Sequence, residues 1–277
     1  MNALLALASS VLWGSSDFGG GLLSRRLHAS AAVLISQAFA LAGLVALAPF
    51  LGVPTGAYLL TAAATGVIGT LSLVSFYHAM ADAPLSLVAP ISATGTVIPV
   101  LAGLARGDRL SWVQAAGIAV ALTGVVLASG PEFRAGAHVR RRAVAFAVLA
   151  AVGFGLTYTL LALAASSGGV YGTLLLQRVG GLAVLTPMVL RGAIWPQVRL
   201  TARRLAALAA VGIGDTTANG TYALAASRGN LSVAAVLASL YPVVTALLAR
   251  GFLAERLRPI QSAGVLAALA GVILLST

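Results

Sequence analysis

Runs of about twenty apolar residues, separated by short polar interruptions, make up almost the whole chain. Charges, glycines and prolines divide it into ten such segments, near residues 3–23, 30–51, 57–80, 84–105, 111–129, 143–164, 169–190, 205–226, 230–250 and 259–276. Each is long enough to cross a bilayer as a helix, so the pattern predicts an all-α integral membrane protein with ten transmembrane helices. Only the connections Gly130–Arg142 and Arg191–Arg204 are long, and no soluble domain is left over. The first segment, beginning Met1-Asn2-Ala3-Leu4-Leu5-Ala6, has no basic flank and outruns a signal peptide. It reads as a spanning helix that is retained.

Composition agrees with the pattern. Of 277 residues, 60% are hydrophobic and 8% charged, and the mean hydropathy is +1.01. A soluble domain carries about 25% charged residues to wet its surface. With no cysteine in the chain, disulfides, thiol catalysis and thiolate metal sites are excluded. The 17 basic residues are all arginine, which together with the abundant alanine points to a high-GC bacterial genome and a bacterial inner membrane. The net charge of +11 does not imply nucleic acid, because loop arginines ordinarily orient a membrane protein and no soluble basic domain exists here.

The two halves repeat. Arg109-Leu110-Ser111-Trp112-Val113-Gln114 aligns with Arg256-Leu257-Arg258-Pro259-Ile260-Gln261, and the match runs on without a gap through Gly117/Gly264, Gly124/Gly271 and Ser129/Ser276. Asp108 falls on Glu255, while Tyr77 and Gly69 fall near Tyr222 and Gly214. Composition alone would align two Ala/Leu-rich helices, so the weight rests on these non-apolar matches. The repeats are expected at 1–130 and 143–277, with five spans each. Five is odd, so the second repeat enters the membrane from the opposite side. Such inverted repeats characterise alternating-access carriers with a site near the midplane.

Several segments carry a family resemblance. Leu12-Trp13-Gly14-Ser15-Ser16-Asp17-Phe18, Pro84-Leu85-Ser86-Leu87-Val88-Ala89-Pro90-Ile91, Leu231-Ser232-Val233, and Ser239-Leu240-Tyr241-Pro242-Val243-Val244-Thr245 resemble the EamA family of the drug/metabolite transporter superfamily. So does Leu253-Ala254-Glu255-Arg256-Leu257. The resemblance covers both repeats, and its most specific stretch runs from Ser239 to Arg256. It implies a ten-helix carrier whose central cavity is lined by the first, third and fourth helices of each half. No substrate is implied, because relatives move amino acids, sugars, nucleosides, drugs and other metabolites.

Loop charge alternates. Connections after odd-numbered spans hold thirteen arginines against Asp82, Glu132 and Glu255, a net +10, and those after even-numbered spans hold Arg106, Arg109 and Arg228 against Asp108, a net +2. By the positive-inside rule both termini lie outside. The resemblance implies the reverse orientation.

Polar residues within the spans mark the candidate chemistry. Asp17, Arg178 and Asp215 fall at membrane depth, where each costs about 2.5–3.5 kcal/mol unless it meets a partner or a cavity. Arg178 is expected either to pair with Asp215 or Asp17, or to clamp a substrate carboxylate. Asp215 and Asn219 are four apart and share a helix face near Tyr222. Trp13, Phe154 and Tyr158 sit at matching depths in the first helix of each half. Gln37 and Gln177 occupy similar places in the second and seventh spans, and His78 adjoins Tyr77. Pro90, Pro99 and Pro242 break helices where Ser92, Thr94, Thr96, Ser239 and Tyr241 can meet the freed carbonyls. The substrate-binding candidates are Trp13, Ser16, Asp17, Tyr77, Thr94, Phe154, Tyr158, Arg178, Asp215, Asn219, Tyr222, Ser239 and Tyr241.

Enzyme motifs are missing. The chain has no HExxH, GxSxG or Walker sequence and only three histidines, 28, 78 and 138. The expected activity is secondary transport, as an exporter of amino-acid-like, nucleoside-like or drug-like solutes, with an importer or uncoupled facilitator as the alternative. No cofactor or metal is expected. The expected partners are a small-molecule substrate, the lipid bilayer and the proton as a candidate coupling ion, with no nucleic acid. A monomer or weak homodimer is expected.

Overall fold

A computed structural model describes residues 1–24, 27–82, 88, 91–128, 141–192, 200–253 and 258–276. Helices dominate because the apolar runs hold few charges and a backbone in lipid must satisfy its own hydrogen bonds. In chain order they are α1 (Asn2–Ser24), α2 (Ala29–Ala46), α3 (Tyr58–Asp82), α4 (Val97–Ala105), α5 (Trp112–Ala128) and α6 (Arg141–Gly168). There follow α7 (Val170–Arg191), α8 (Ala202–Arg228), α9 (Leu231–Ala238), α10 (Tyr241–Leu253) and α11 (Pro259–Ser276). No strand occurs among the described residues.

Four of these helical stretches are long and apolar enough to cross a membrane: Tyr58–Phe76, Arg141–Gly168, Val170–Arg191 and Leu231–Phe252. Shorter apolar helices cover Ser30–Ala46, Ile91–Ala105, Trp112–Ala128 and Pro259–Leu275. The second predicted span stops at Ala46, five residues early. Pro49 starts a separate four-residue turn, Ala48–Leu51, because a proline cannot donate into the turn before it. The fourth span reaches α4 through a 3-10 turn at Thr94–Thr96. Pro84, Ser86 and Pro90 of that span lie outside the described residues, as do Glu132, His138, Glu255, Arg256 and the arginines at 25, 26, 134, 140 and 199. Pro242 sits in the first turn of α10, and the expected break before it falls at Ser239–Leu240.

Helix packing follows the repeat. α3 packs on α6 and α7, while their counterparts pair the same way, α8 on α1 and α2. α5 and α11 lie side by side, and their glycines are what allow it. A methyl on Gly117 would stand 3.2 Å from the Gly271 carbonyl oxygen, and one on Gly264 would stand 2.8 Å from that of Gly124. The partner number falls as the first number rises, so the two helices run antiparallel. Exchanging the repeats turns the contact 117–271 into 264–124. The halves are therefore inverted copies across a two-fold axis in the membrane plane.

Candidate functional site

α1 separates a lipid face from an interior face. Leu4, Val11 and Leu22 form an exposed apolar stripe along it, at 70%, 51% and 37% exposure. At 3.6 residues per turn, Asp17 lies roughly 140° round the axis from that stripe, on the side of buried Trp13. Asp17 is nonetheless exposed. Its carboxylate interacts electrostatically with Asp215, Tyr158 and Tyr241. The space it meets is therefore interior and not lipid. On α8, Ala206, Ala210, Ile213 and Thr217 form the exposed stripe, and Asp215 again points the other way.

Asp215 anchors a polar network across three helices. Its Oδ2 lies 2.9 Å from an Arg178 guanidinium nitrogen. Arg178 also donates to Oε1 of Gln37, and Gln37 Nε2 donates back to Asp215 Oδ2 at 3.4 Å. Asn219 Nδ2 donates to the Asp215 carbonyl at 2.7 Å and to its Oδ1 at 3.3 Å. Gln177 Nε2 donates to Asn219 Oδ1 at 3.2 Å. Of the two alternatives for Arg178, the structure shows the ion pair with Asp215. Buried Arg178 Nε and Gln177 Oε1 are left without a hydrogen-bond partner among the described residues.

Gln37 and Gln177 occupy similar places across the repeat, one residue out of register. A methyl on Gly66 of α3 would overlap the Gln177 carbonyl, and one on Gly212 of α8 would overlap that of Ser36. Gln177 therefore corresponds to Ser36, and Arg178 corresponds to Gln37. These two counterparts meet at the two-fold axis through their own hydrogen bond.

Beyond the charges lies an aromatic floor. The Trp13 ring is centred 5.1 Å from Tyr158, 5.7 Å from Tyr222 and 6.3 Å from Tyr241. Tyr158 and Tyr222 are 5.6 Å apart, and the buried Tyr222 hydroxyl donates to the Tyr158 carbonyl at 3.2 Å. Beside them, Ser92, Thr96, Phe154, Ser239 and Pro242 border a gap with about 10 Å³ for the centres of water molecules. That gap has room for about one water.

Two groups thus gather the predicted residues: Trp13, Phe154, Tyr158, Tyr222, Ser239 and Tyr241 in the floor, and Asp17, Arg178, Asp215 and Asn219 beside it. Ser16 packs against Gly214, where a methyl would stand 2.5 Å from its Oγ. Thr94 turns its hydroxyl back onto the Ile91 carbonyl at 2.6 Å and does not border the gap. Tyr77 lies on α3, with its side chain outside the described atoms. His78 stacks on Phe146 at 5.3 Å. The reading from sequence passed over Ser92 and Thr96 as site residues, although both sit where a proline-broken helix leaves carbonyls free. Among the described residues no group of three acids or histidines could hold a metal.

The floor is backed by a contact between halves. Asp108 Oδ2 accepts from the Ser232 N–H and from its Oγ, each at 2.8 Å, and Ser232 Oγ also reaches the Val100 carbonyl at 3.0 Å. Asn230, at the N-cap of α9, makes no side-chain cap bond. Asp108 of the other half therefore supplies the negative charge that the α9 N-terminus attracts. At the same face, Asn2 Nδ2 donates to the Arg228 carbonyl at 2.9 Å. A shallow recess of about 220 Å³ opens there between Asn2, Gln114 and Asn230.

With this geometry in place, comparison with known proteins identifies the architecture. The model of the EamA-like transporter family matches residues 1–130 and again 141–277. The chain belongs to the EamA-like transporter family. Like other members of that family, it is a multi-pass membrane protein of transporter type, built on inverted repeats. A solved crystal structure of another protein superposes on 99% of this chain and 95% of that one, with a TM-score of 0.80 at 17% identity. That likeness concerns the fold alone. No curated protein matches the sequence.

Proposed function

We propose that this EamA-like protein is a secondary transporter of small organic solutes of amino-acid-like, nucleoside-like or drug-like kind. It works as an exporter in the bacterial inner membrane, by alternating access around a midplane cavity. Ten spans form two inverted five-helix halves, 1–130 and 143–277, that rock against each other. The observation carrying this reading is the placement of Asp17, Asp215 and Arg178 on interior faces between antiparallel halves, above an aromatic floor. A membrane-depth charge facing an interior opening is costly to keep and has a use when something charged passes it.

Along α1 the order is Asn2 at one membrane face, Trp13 in the floor, then Asp17 beyond it. The face bearing Asn2 is thus the closed one, and Asp17 is reached from the other. That other side carries the arginine-rich connections, and by the positive-inside rule it is cytoplasmic. Asp108 and Ser232 then form a latch that holds the closed face shut. Asp108→Ala is expected to open it. The chain has no natural cysteine, so a single Ala238→Cys, at a site buried beneath the latch, reports access to thiol reagents. Labelling is expected to speed up several-fold in the Asp108→Ala background, and an unchanged rate removes the latch.

Flux in proteoliposomes tests the function itself, using amino acids, nucleosides and cationic drugs with and without an imposed pH gradient. Solute movement that collapses the gradient is expected. Flux indifferent to the gradient makes the protein a facilitator, and no flux of any solute counts against transport.

A further inference from the structure

The interior holds one carboxylate too many. Among the described residues, Asp17, Asp215 and Arg178 are its ionisable carboxylates and guanidinium at membrane depth, and Asp215 is committed to Arg178 at 2.9 Å. Asp17 has no cationic partner among the described residues, and the charged neighbour it interacts with is Asp215, a second acid. An arriving anion would face two carboxylates against a guanidinium already neutralised. An arriving cation would find Asp17 free, exposed, and one helical turn from Trp13.

The surroundings indicate what kind of cation. Trp13 and Tyr241 pack together at 6.3 Å, and Asp17 interacts with Tyr241 as well as with Tyr158. Aromatic faces attract organic cations, whereas a bare metal ion requires several oxygen ligands. No group of three acids or histidines is available to it among the described residues. A second acceptor also goes unmet. Gln177 Oε1 belongs to a side chain 6% exposed and has no donor among the described residues, while Nε2 of the same amide is linked through Asn219 to Asp215. An ammonium that carries N–H groups can serve such an acceptor, and a quaternary one cannot.

We propose that Asp17, with the half-buried ring of Tyr241 beside it, forms a binding site for a protonated amine carried on an apolar or aromatic body. The proposal rests on the transporter reading and narrows it to one class of solute. The amine approaches from the side opposite Asn2, its ammonium on the Asp17 carboxylate and its body on the aromatic floor.

Calorimetric titration of the purified protein with 2-phenylethylamine tests this, with 2-phenylethanol and 3-phenylpropionate as neutral and anionic controls. The amine is expected to bind and both controls to fail. Asp17→Asn is expected to weaken binding by about tenfold or more, and Asp17→Glu to retain most of it. A melting curve for each variant shows that it is folded. Equal binding of the anion or the alcohol overturns the proposal, and so does unchanged affinity in folded Asp17→Asn. Failure of the unmodified protein to bind the amine overturns it as well. Proteoliposome flux separates this from the reading beneath it. Flux of anionic or neutral solutes untouched by Asp17→Asn leaves a transporter and removes the cation site. Amine binding that depends on Asp17, without flux of any solute, keeps the site and removes the transporter.

Discussion

Asp215→Leu is expected to destabilise the protein more than any other single change in the polar network, by about 3–5 kcal/mol. The substitution removes the counter-ion of Arg178, whose side chain is only 6% exposed. An uncompensated guanidinium then remains between α2, α7 and α8, with Gln37 Oε1 as its one remaining acceptor among the described residues. Arg178→Leu is expected to cost less. The carboxylate it orphans is 26% exposed and still accepts from Gln37 and Asn219. The double variant, Arg178→Leu with Asp215→Leu, is expected to recover most of the loss, since an apolar pair can replace a buried ion pair at little cost. Melting temperatures in detergent for the four proteins complete the cycle. Additive losses in the double variant would mean that the two charges act independently.

Gly66→Ala and Gly212→Ala carry the second large effect. In both cases the added methyl meets a backbone carbonyl, of Gln177 and of Ser36 respectively. A carbonyl in a packed helix cannot rotate away as a side chain tip would, so the helices must separate. Overpacking of this kind costs about 1–3 kcal/mol and more where backbone is involved. Separation would also pull α7 from α3 and α8 from α2, loosening the helices that carry Arg178 and Asp215. Gly43→Ala is the control, because a methyl there meets nothing within 4 Å and should be neutral or slightly stabilising. The yield of monodisperse protein and its melting temperature report all three. The first two are expected to suffer alike, since Gly66 and Gly212 occupy equivalent places. A tolerated Gly212→Ala beside a damaging Gly66→Ala would show that the two halves share geometry without sharing energetics.

The residues of the polar network stand out before the fold is known. Asp17, Asp215 and Arg178 stand out because a charge among apolar residues needs a reason, whatever the surrounding structure. The four-residue spacing of Asp215 and Asn219 put them on one face, and they are hydrogen-bonded there. Pro242 predicted the break before α10, since a proline's missing donor acts locally. The position of Thr94 does not reveal where its hydroxyl goes: it satisfies a carbonyl of its own turn, and Thr96, two residues on, borders the gap. Gln37 and Gln177 lie in similar places, and the close glycine contacts fix the register one residue on, with Gln37 opposite Arg178.

The sequence by itself determined the membrane character, the approximate spans, the repeat and its inversion. Hydropathy accumulates residue by residue along a chain, and the expected odd number of spans per repeat implies the flip by counting alone. Tertiary structure decided the rest: which acid takes Arg178, and which acid has no cation beside it among the described residues. Those outcomes depend on how far one helix slides and turns against another. Close glycine contacts such as Gly66 on Gln177 set that register, and nothing in the periodicity of either helix reveals it.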